Sequence, residues 1–149
     1  MLDEKKHFVS ATAIIIKDGK YLIAKRSPNE KAFPSKWPVP GGKLEAKDYV
    51  VRAPDAGTLW YNVMEDVVRR EVKEEVNVEI GKPKYLLDLT FISPVGVPCL
   101  VLSYYAQYVS GEVKLSSEHI RFEWVDKNSY QKFENNRNSF VALKKYFSK

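Results

Sequence analysis

The segment Val63–Val76, VMEDVVRREVKEEV, constrains this chain more than any other. Its apolar residues recur at helical spacing. With residues placed at about 100° steps from Met64, the side chains Val63, Val67, Val68, Val72 and Val76 fall within about 120° of it and form one face. Asp66, Arg69, Arg70 and Lys73 fall on the other side. Glu71 and Glu75 do not join them. They land about 20° to either side of Met64, in the middle of the apolar stripe, and Glu74 sits at its edge. Like charges at i, i+4 repel by about 0.2–0.5 kcal/mol on an exposed helix. Desolvation near a core raises that cost unless a positive partner lies between them. A divalent cation is the simplest such partner, and oxygen-only ligands favour Mg²⁺ or Mn²⁺ over zinc. The plain alternative is a solvated acidic patch, which the placement of Glu71 and Glu75 on the apolar face disfavours.

The flanking sequence supplies a sheet for this helix. Phe8–Ile16 is rich in β-branched residues and reads as a buried strand. Lys17–Lys20 carries Asp-Gly at the centre of a hairpin turn, and Tyr21–Lys25 is the return strand. Ser27–Pro40 is rich in proline and reads as loop. Gly41-Gly42 precedes a short strand around Lys43–Glu45. Asn62 with Glu65 is an N-terminal capping signal for the helix, and Asn77 is its stop. Strands are expected over Lys84–Ile92, Pro98–Val109 and Arg121–Val125. Phe140, Val141, Leu143, Tyr146 and Phe147 are spaced for a closing helix over 138–147. Strands with two helices, one of them central, predict an α+β domain in α/β/α layers.

Composition limits the alternatives. A chain of 149 residues is expected to form a single domain, residues 1–149. It is 44% apolar and 29% charged, which excludes a disordered or fibrous chain. One cysteine, Cys99, allows no internal disulfide. The charged N-terminus is not a secretory signal, so a reducing, cytoplasmic setting is expected. No apolar run approaches the roughly 18 residues a membrane span needs. A net charge of +5 suits a polyanionic small molecule. Without a recognition motif it argues against nucleic acid as the partner.

The stretch Gly42–Val78 resembles the signature of the Nudix hydrolases (MutT-like). Pro40-Gly41-Gly42-Lys43-Leu44-Glu45 matches its opening, and Arg70-Glu71-Val72-Lys73-Glu74-Glu75-Val76-Asn77-Val78 its closing half. Lys36–Pro40 and Glu118-His119 before Trp124-Val125 are similar more weakly. There are three departures. Asp48 stands where the family has Glu. Twenty-one residues separate Asp48 from Arg70 instead of seven, an insertion of 14 residues most simply placed at 49–62. Asn77 replaces the final Gly.

The resemblance implies a Nudix α/β/α sandwich with a mixed sheet between helices. It implies Mg²⁺-dependent hydrolysis of a phosphoanhydride bond in a nucleoside diphosphate derivative, with Mn²⁺ as the alternative ion. A (deoxy)nucleoside triphosphate, cleaved to monophosphate and pyrophosphate, leads. ADP-ribose or another nucleoside diphosphate sugar is the runner-up, with Pro94, 16 residues past the signature, as a slight signal for it. A nucleotide-binding module without turnover is the second class, kept open by Asp48 and the insertion. The implied metal ligands are Glu71, Glu75, Glu74 and the Gly41 carbonyl. Glu74 and Glu118 are the implied catalytic carboxylates, with Arg70 orienting the glutamates. Lys43 and Gly42 are placed to meet phosphate. Trp37, with Phe33, Phe91 and Tyr105, is a candidate for stacking on the second group. His119 is read as a local hydrogen-bonding residue. The insertion is either a rim beside the site, with Arg52, Trp60 and Tyr61 as contacts, or a tolerated surface loop. Homodimers are common among such proteins.

Overall fold

A computed structural model describes residues 4–133 and 137–148, and side chains within that range except those of 137–141. The strands are β1 (Phe8–Lys17), β2 (Lys20–Arg26), β3 (Gly41–Lys43), β4 (Glu79–Ile80), β5 (Lys84–Ile92), β6 (Pro98–Ser110) and β7 (His119–Val125). The helices are α1 (Val63–Val76) and α2 (Arg137–Phe147).

The sheet is mixed. β1 runs parallel to β6 from Phe8↔Cys99 to Ile16↔Gln107. Along its other edge it pairs antiparallel first with β3 and then, past the hairpin, with β2. β2 continues to β7, while β6 carries β5 and β4 on its far side. The hairpin turn places Asp18 and Gly19 at positive φ, as a tight Asp-Gly connection requires.

β1 is buried on both faces, so it reads as a continuous apolar run rather than an alternating one. Ala11, Ala13 and Ile15 face α1 and pack with Val67, Val68, Val72 and Val76. Ile14 and Ile16 face the opposite layer and pack with Leu143 and Tyr146 of α2. Two cores on either side of one sheet make the expected α/β/α sandwich. The side chains of Phe140 and Val141, assigned to the closing helix from spacing, lie outside the described residues.

Several local expectations need correction. Asn62 does not cap α1 with its side chain. Its backbone is left-handed (φ 57°) and makes no side-chain cap hydrogen bond. That conformation turns the chain into the helix, and Glu65 and Asp66 in the first turn face its positive end instead. Asn77 stops the helix as expected, at φ 63°. The short strand is Gly41–Lys43, two residues earlier than read. β4 was not foreseen, because two residues carry no periodicity.

Candidate active site

The site forms where β3 passes beneath the C-terminal half of α1. β3 pairs with β1 through Ala11↔Gly42 and Thr12↔Gly41. This presses Gly41-Gly42 against the neighbouring strand and the helix. A Cβ at Gly42 would overlap the Glu71 carboxylate, and one at Gly41 would overlap the Ala11 carbonyl. Glycine is required at both positions by close approach rather than by φ.

Glu71 and Glu75 project from successive turns of α1 toward this strand. Glu75 is 6% exposed. Its Oε1 accepts from the Gly41 N–H at 3.4 Å, and its Oε2 lies 3.4 Å from His119 Nε2. Burial raises the Glu75 carboxyl well above the ordinary carboxylate range, and its hydrogen bond and charge contact with Glu71 push the same way. Two buried carboxylates in contact cannot both ionise cheaply. His119 is buried, and burial, aided by Arg26, lowers its pKa to about 4. The ring is therefore neutral near pH 7.

Arg70 ties the acidic side chains together. Its guanidinium donates twice to Asp48 (the Nη2 contact is 3.2 Å), to Glu71 Oε1 at 2.7 Å, to Glu74 Oε2 at 3.2 Å and to the Lys43 carbonyl at 3.0 Å. The Asp48 side chain is fully buried. Burial would raise its pKa, but the Arg70 hydrogen bond and the Glu45 N–H hold it below the usual value. Asp48 thus occupies a bracing position within the cluster despite the shortened side chain.

The insertion folds on itself. Arg52 donates to Asp55 at 2.9 Å, to Asp66 at 3.2 Å and to the Tyr61 carbonyl at 2.9 Å. Trp60 Nε1 returns a hydrogen bond to the Arg52 carbonyl, and Tyr49 packs on Trp60 at 5.3 Å. None of residues 49–62 lines the cleft described next. Arg52 and Trp60 brace the loop and tie it to Asp66 of α1, the arrangement of the surface-loop alternative.

The carboxylates sit in a cleft of about 650 Å³, within the size range of nucleotide-sized ligand sites. It brings together Gly41, Gly42, Lys43, Arg70, Glu71, Glu74, Glu75 and Glu118, with Arg26, Lys31 and Lys47 beside them. Glu74 and Glu118 are each about half exposed, and Glu118 lies 4.0 Å from Arg26. Lys43 Nζ stands 4.3 Å over the Phe8 ring. Phe33, Phe91 and Pro94 line the cleft as well. Trp37 does not. It packs edge-on against Phe133 at 4.9 Å in the α2-side core, and Tyr105 joins the same core. Phe8 at the cleft and the His119–Glu75 contact carry no signal in the sequence. Phe8 begins a strand and looked like core, and no local pattern joins β7 to α1.

Among the described residues, no three or more His, Cys, Asp or Glu side chains gather tightly enough to hold a metal unaided. Mg²⁺ does not need such a cage. It takes one or two carboxylates and completes its shell with water and substrate phosphate. Glu71 and Glu75 would supply two hard oxygen ligands. Their contact, which raises the Glu75 carboxyl above its ordinary range, is the one a cation would relieve. The residues fit the ion.

Comparison with known proteins gives the family. The NUDIX domain model matches residues 6–145, so the chain belongs to the Nudix hydrolase family, whose members act on phosphorus-containing anhydrides. A MutT NUDIX hydrolase from Burkholderia pseudomallei superposes with a TM-score of 0.75 at 22% identity, covering 95% of this chain and 98% of that one. A MutT protein from Methanosarcina mazei Go1 superposes at 0.72 with 27% identity, covering 97% and 95%. The NUDIX domain of Shewanella oneidensis NrtR, solved with ADP ribose, superposes at 0.74 with 14% identity, covering 97% and 88%. No protein of curated function matches the sequence. Among the described residues, no helix is long and apolar enough to cross a membrane.

Proposed function

We propose that this hydrolase cleaves a (deoxy)nucleoside triphosphate to the monophosphate and pyrophosphate, with Mg²⁺ bound by Glu71, Glu75 and the Gly41 carbonyl. The carrying observation is the Glu71–Glu75 pair, seated on Gly41-Gly42 and braced by Arg70. When bound, the ion offsets phosphate charge and polarises the scissile phosphoryl group. Arg26, Lys31, Lys43 and Lys47 line the same cleft and suit a polyphosphate rather than a single phosphate. Arg70 is saturated by Asp48, Glu71, Glu74 and Lys43, so its role is to position carboxylates. Glu74 and Glu118, both half exposed at the cleft, are the carboxylates placed to meet the attacking water. Phe8, Phe33 and Phe91 offer faces for the base. A cytoplasmic setting, where Mg²⁺ and nucleotides abound, accords with the free Cys99.

A second substrate class has its own support. Pro94 lines the cleft, and the Shewanella domain of similar fold was solved with ADP ribose. A nucleoside diphosphate sugar is therefore the alternative.

The test is incubation of the protein and Mg²⁺ with the (d)NTPs, ADP-ribose and dinucleotides, with products resolved by chromatography. Pyrophosphate and monophosphate from a triphosphate are expected, with loss of turnover in Glu75→Gln. AMP and ribose phosphate from ADP-ribose alone would select the alternative. No cleavage with either Mg²⁺ or Mn²⁺ would leave a binding module.

A further inference from the structure

His119 opens β7, on the far side of β2 from α1's own sequence neighbourhood, yet its side chain is 1% exposed and reaches the carboxylate of Glu75. Both ring nitrogens are engaged. Nδ1 lies 3.3 Å from Ser116 Oγ, and Nε2 lies 3.4 Å from Glu75 Oε2. Ser116 Oγ also accepts from the Glu118 N–H at 3.4 Å. The group facing Nε2 is a carboxylate oxygen, an acceptor only when ionised, so the N–H is assigned to Nε2, set against Glu75. The backbone repeats the connection, because the Ser116 N–H donates to the Glu75 carbonyl at 3.1 Å.

From this geometry we infer that His119 is a positioning residue: it fixes the Glu75 carboxylate for the divalent ion and ties it to the loop carrying Glu118. Glu75 then has one oxygen accepting from the Gly41 N–H and the other set against His119 Nε2. A carboxylate held at both oxygens keeps its orientation without the ion, so less ordering remains when the ion arrives. The same network runs from His119 through Ser116 to the Glu118 N–H. One imidazole thus links a ligand on α1 to a candidate proton acceptor on the loop before β7. A histidine on this loop that acted on water would need an open nitrogen at the cleft. His119 has neither nitrogen open and does not line the cleft.

The inference rests on the metal-site reading of Glu71 and Glu75. Its test is Mn²⁺ binding to the nucleotide-free protein, read from the electron paramagnetic resonance signal of free Mn²⁺, beside thermal melting in chelator. His119→Gln places an amide N–H near the position of Nε2, whereas His119→Leu fills the space without a donor. Expected is a loss of Mn²⁺ affinity of about 10–100-fold in His119→Leu, with most of it restored in His119→Gln. If His119→Leu does not fold, Ser116→Ala, which frees Nδ1, is expected to weaken Mn²⁺ binding with the melting temperature nearly kept. Wild-type Mn²⁺ affinity in the Leu variant, or in Ser116→Ala where Leu does not fold, overturns the inference and leaves the metal site standing. Unchanged affinity with turnover lost in both the Gln and Leu variants also overturns it, in favour of a direct role in proton transfer. No Mn²⁺ binding by the unaltered protein overturns the metal reading and this inference with it.

Discussion

Asp48 and Arg70 lie 22 positions apart in the chain and yet form a two-pronged ion pair whose carboxylate is fully buried. The insertion between them leaves from one partner and returns to the helix bearing the other. It lengthens the path without moving the ends. Loops tolerate such additions because closure entropy grows only slowly with length.

This pair predicts an acid-sensitive contribution to stability. The folded pKa of Asp48 is depressed, so its contribution is full above the unfolded value of roughly 3.9 and is lost as pH falls through the folded value. Asp48→Asn is expected to cost about 3 kcal/mol at neutral pH. The gap to the wild type should close below about pH 4. Urea unfolding of both proteins across that range measures it, and a pH-independent gap would refute the ion-pair account.

Gly42→Ala places a methyl group where the Glu71 carboxylate lies. Glu71 must turn away from the site, while the pairing of β3 with β1 uses backbone alone. The fold should persist, with kcat lowered by about 100-fold or more. Circular dichroism and turnover measured on the same sample decide this. Wild-type turnover would show that Glu71 is not needed where it stands.

Arg52 holds the insertion together but does not reach the cleft. Arg52→Ala should lower the melting temperature, since the loop loses its hydrogen bonds to Asp55, Asp66 and the Tyr61 carbonyl. Its kcat/KM should stay within about twofold of the wild type, since no contact to the substrate is lost. A large rise in KM would restore the insertion to the rim of the site.

Phe91 and Trp37 separate the cleft from the core. Phe91 lines the cleft, and Trp37 packs on Phe133. Phe91→Ala should raise KM by about tenfold, the worth of one aromatic stacking contact. Trp37→Ala should instead lower stability by about 3 kcal/mol with KM unchanged. Kinetics and melting of the two variants should show this crossed pattern.

Much of this was legible without coordinates because it is written locally. The valines of α1 repeat at helical spacing, so Val63–Val76 could be delimited to the residue. Asp18-Gly19 and Asn77 announced their left-handed turns. The same periodicity exposed Glu71 and Glu75 as carboxylates on an apolar face. Where local chemistry had two solutions, it misled. Asn62 had the capping residue type but took a left-handed backbone, a conformation asparagine also tolerates. Trp37 stood beside the glycine turn in sequence, yet its ring went to the α2-side core.

The sequence alone determined the helix, its misplaced glutamates and the glycines beneath them, since periodicity and residue size are properties of neighbours along the chain. Tertiary structure decided which groups meet. The parallel pairing of β1 with β6 and the return of β7 beside β2 bring His119 to Glu75 and Glu118 to the cleft. No periodicity encodes those contacts, because they depend on how separate strands are ordered in one sheet.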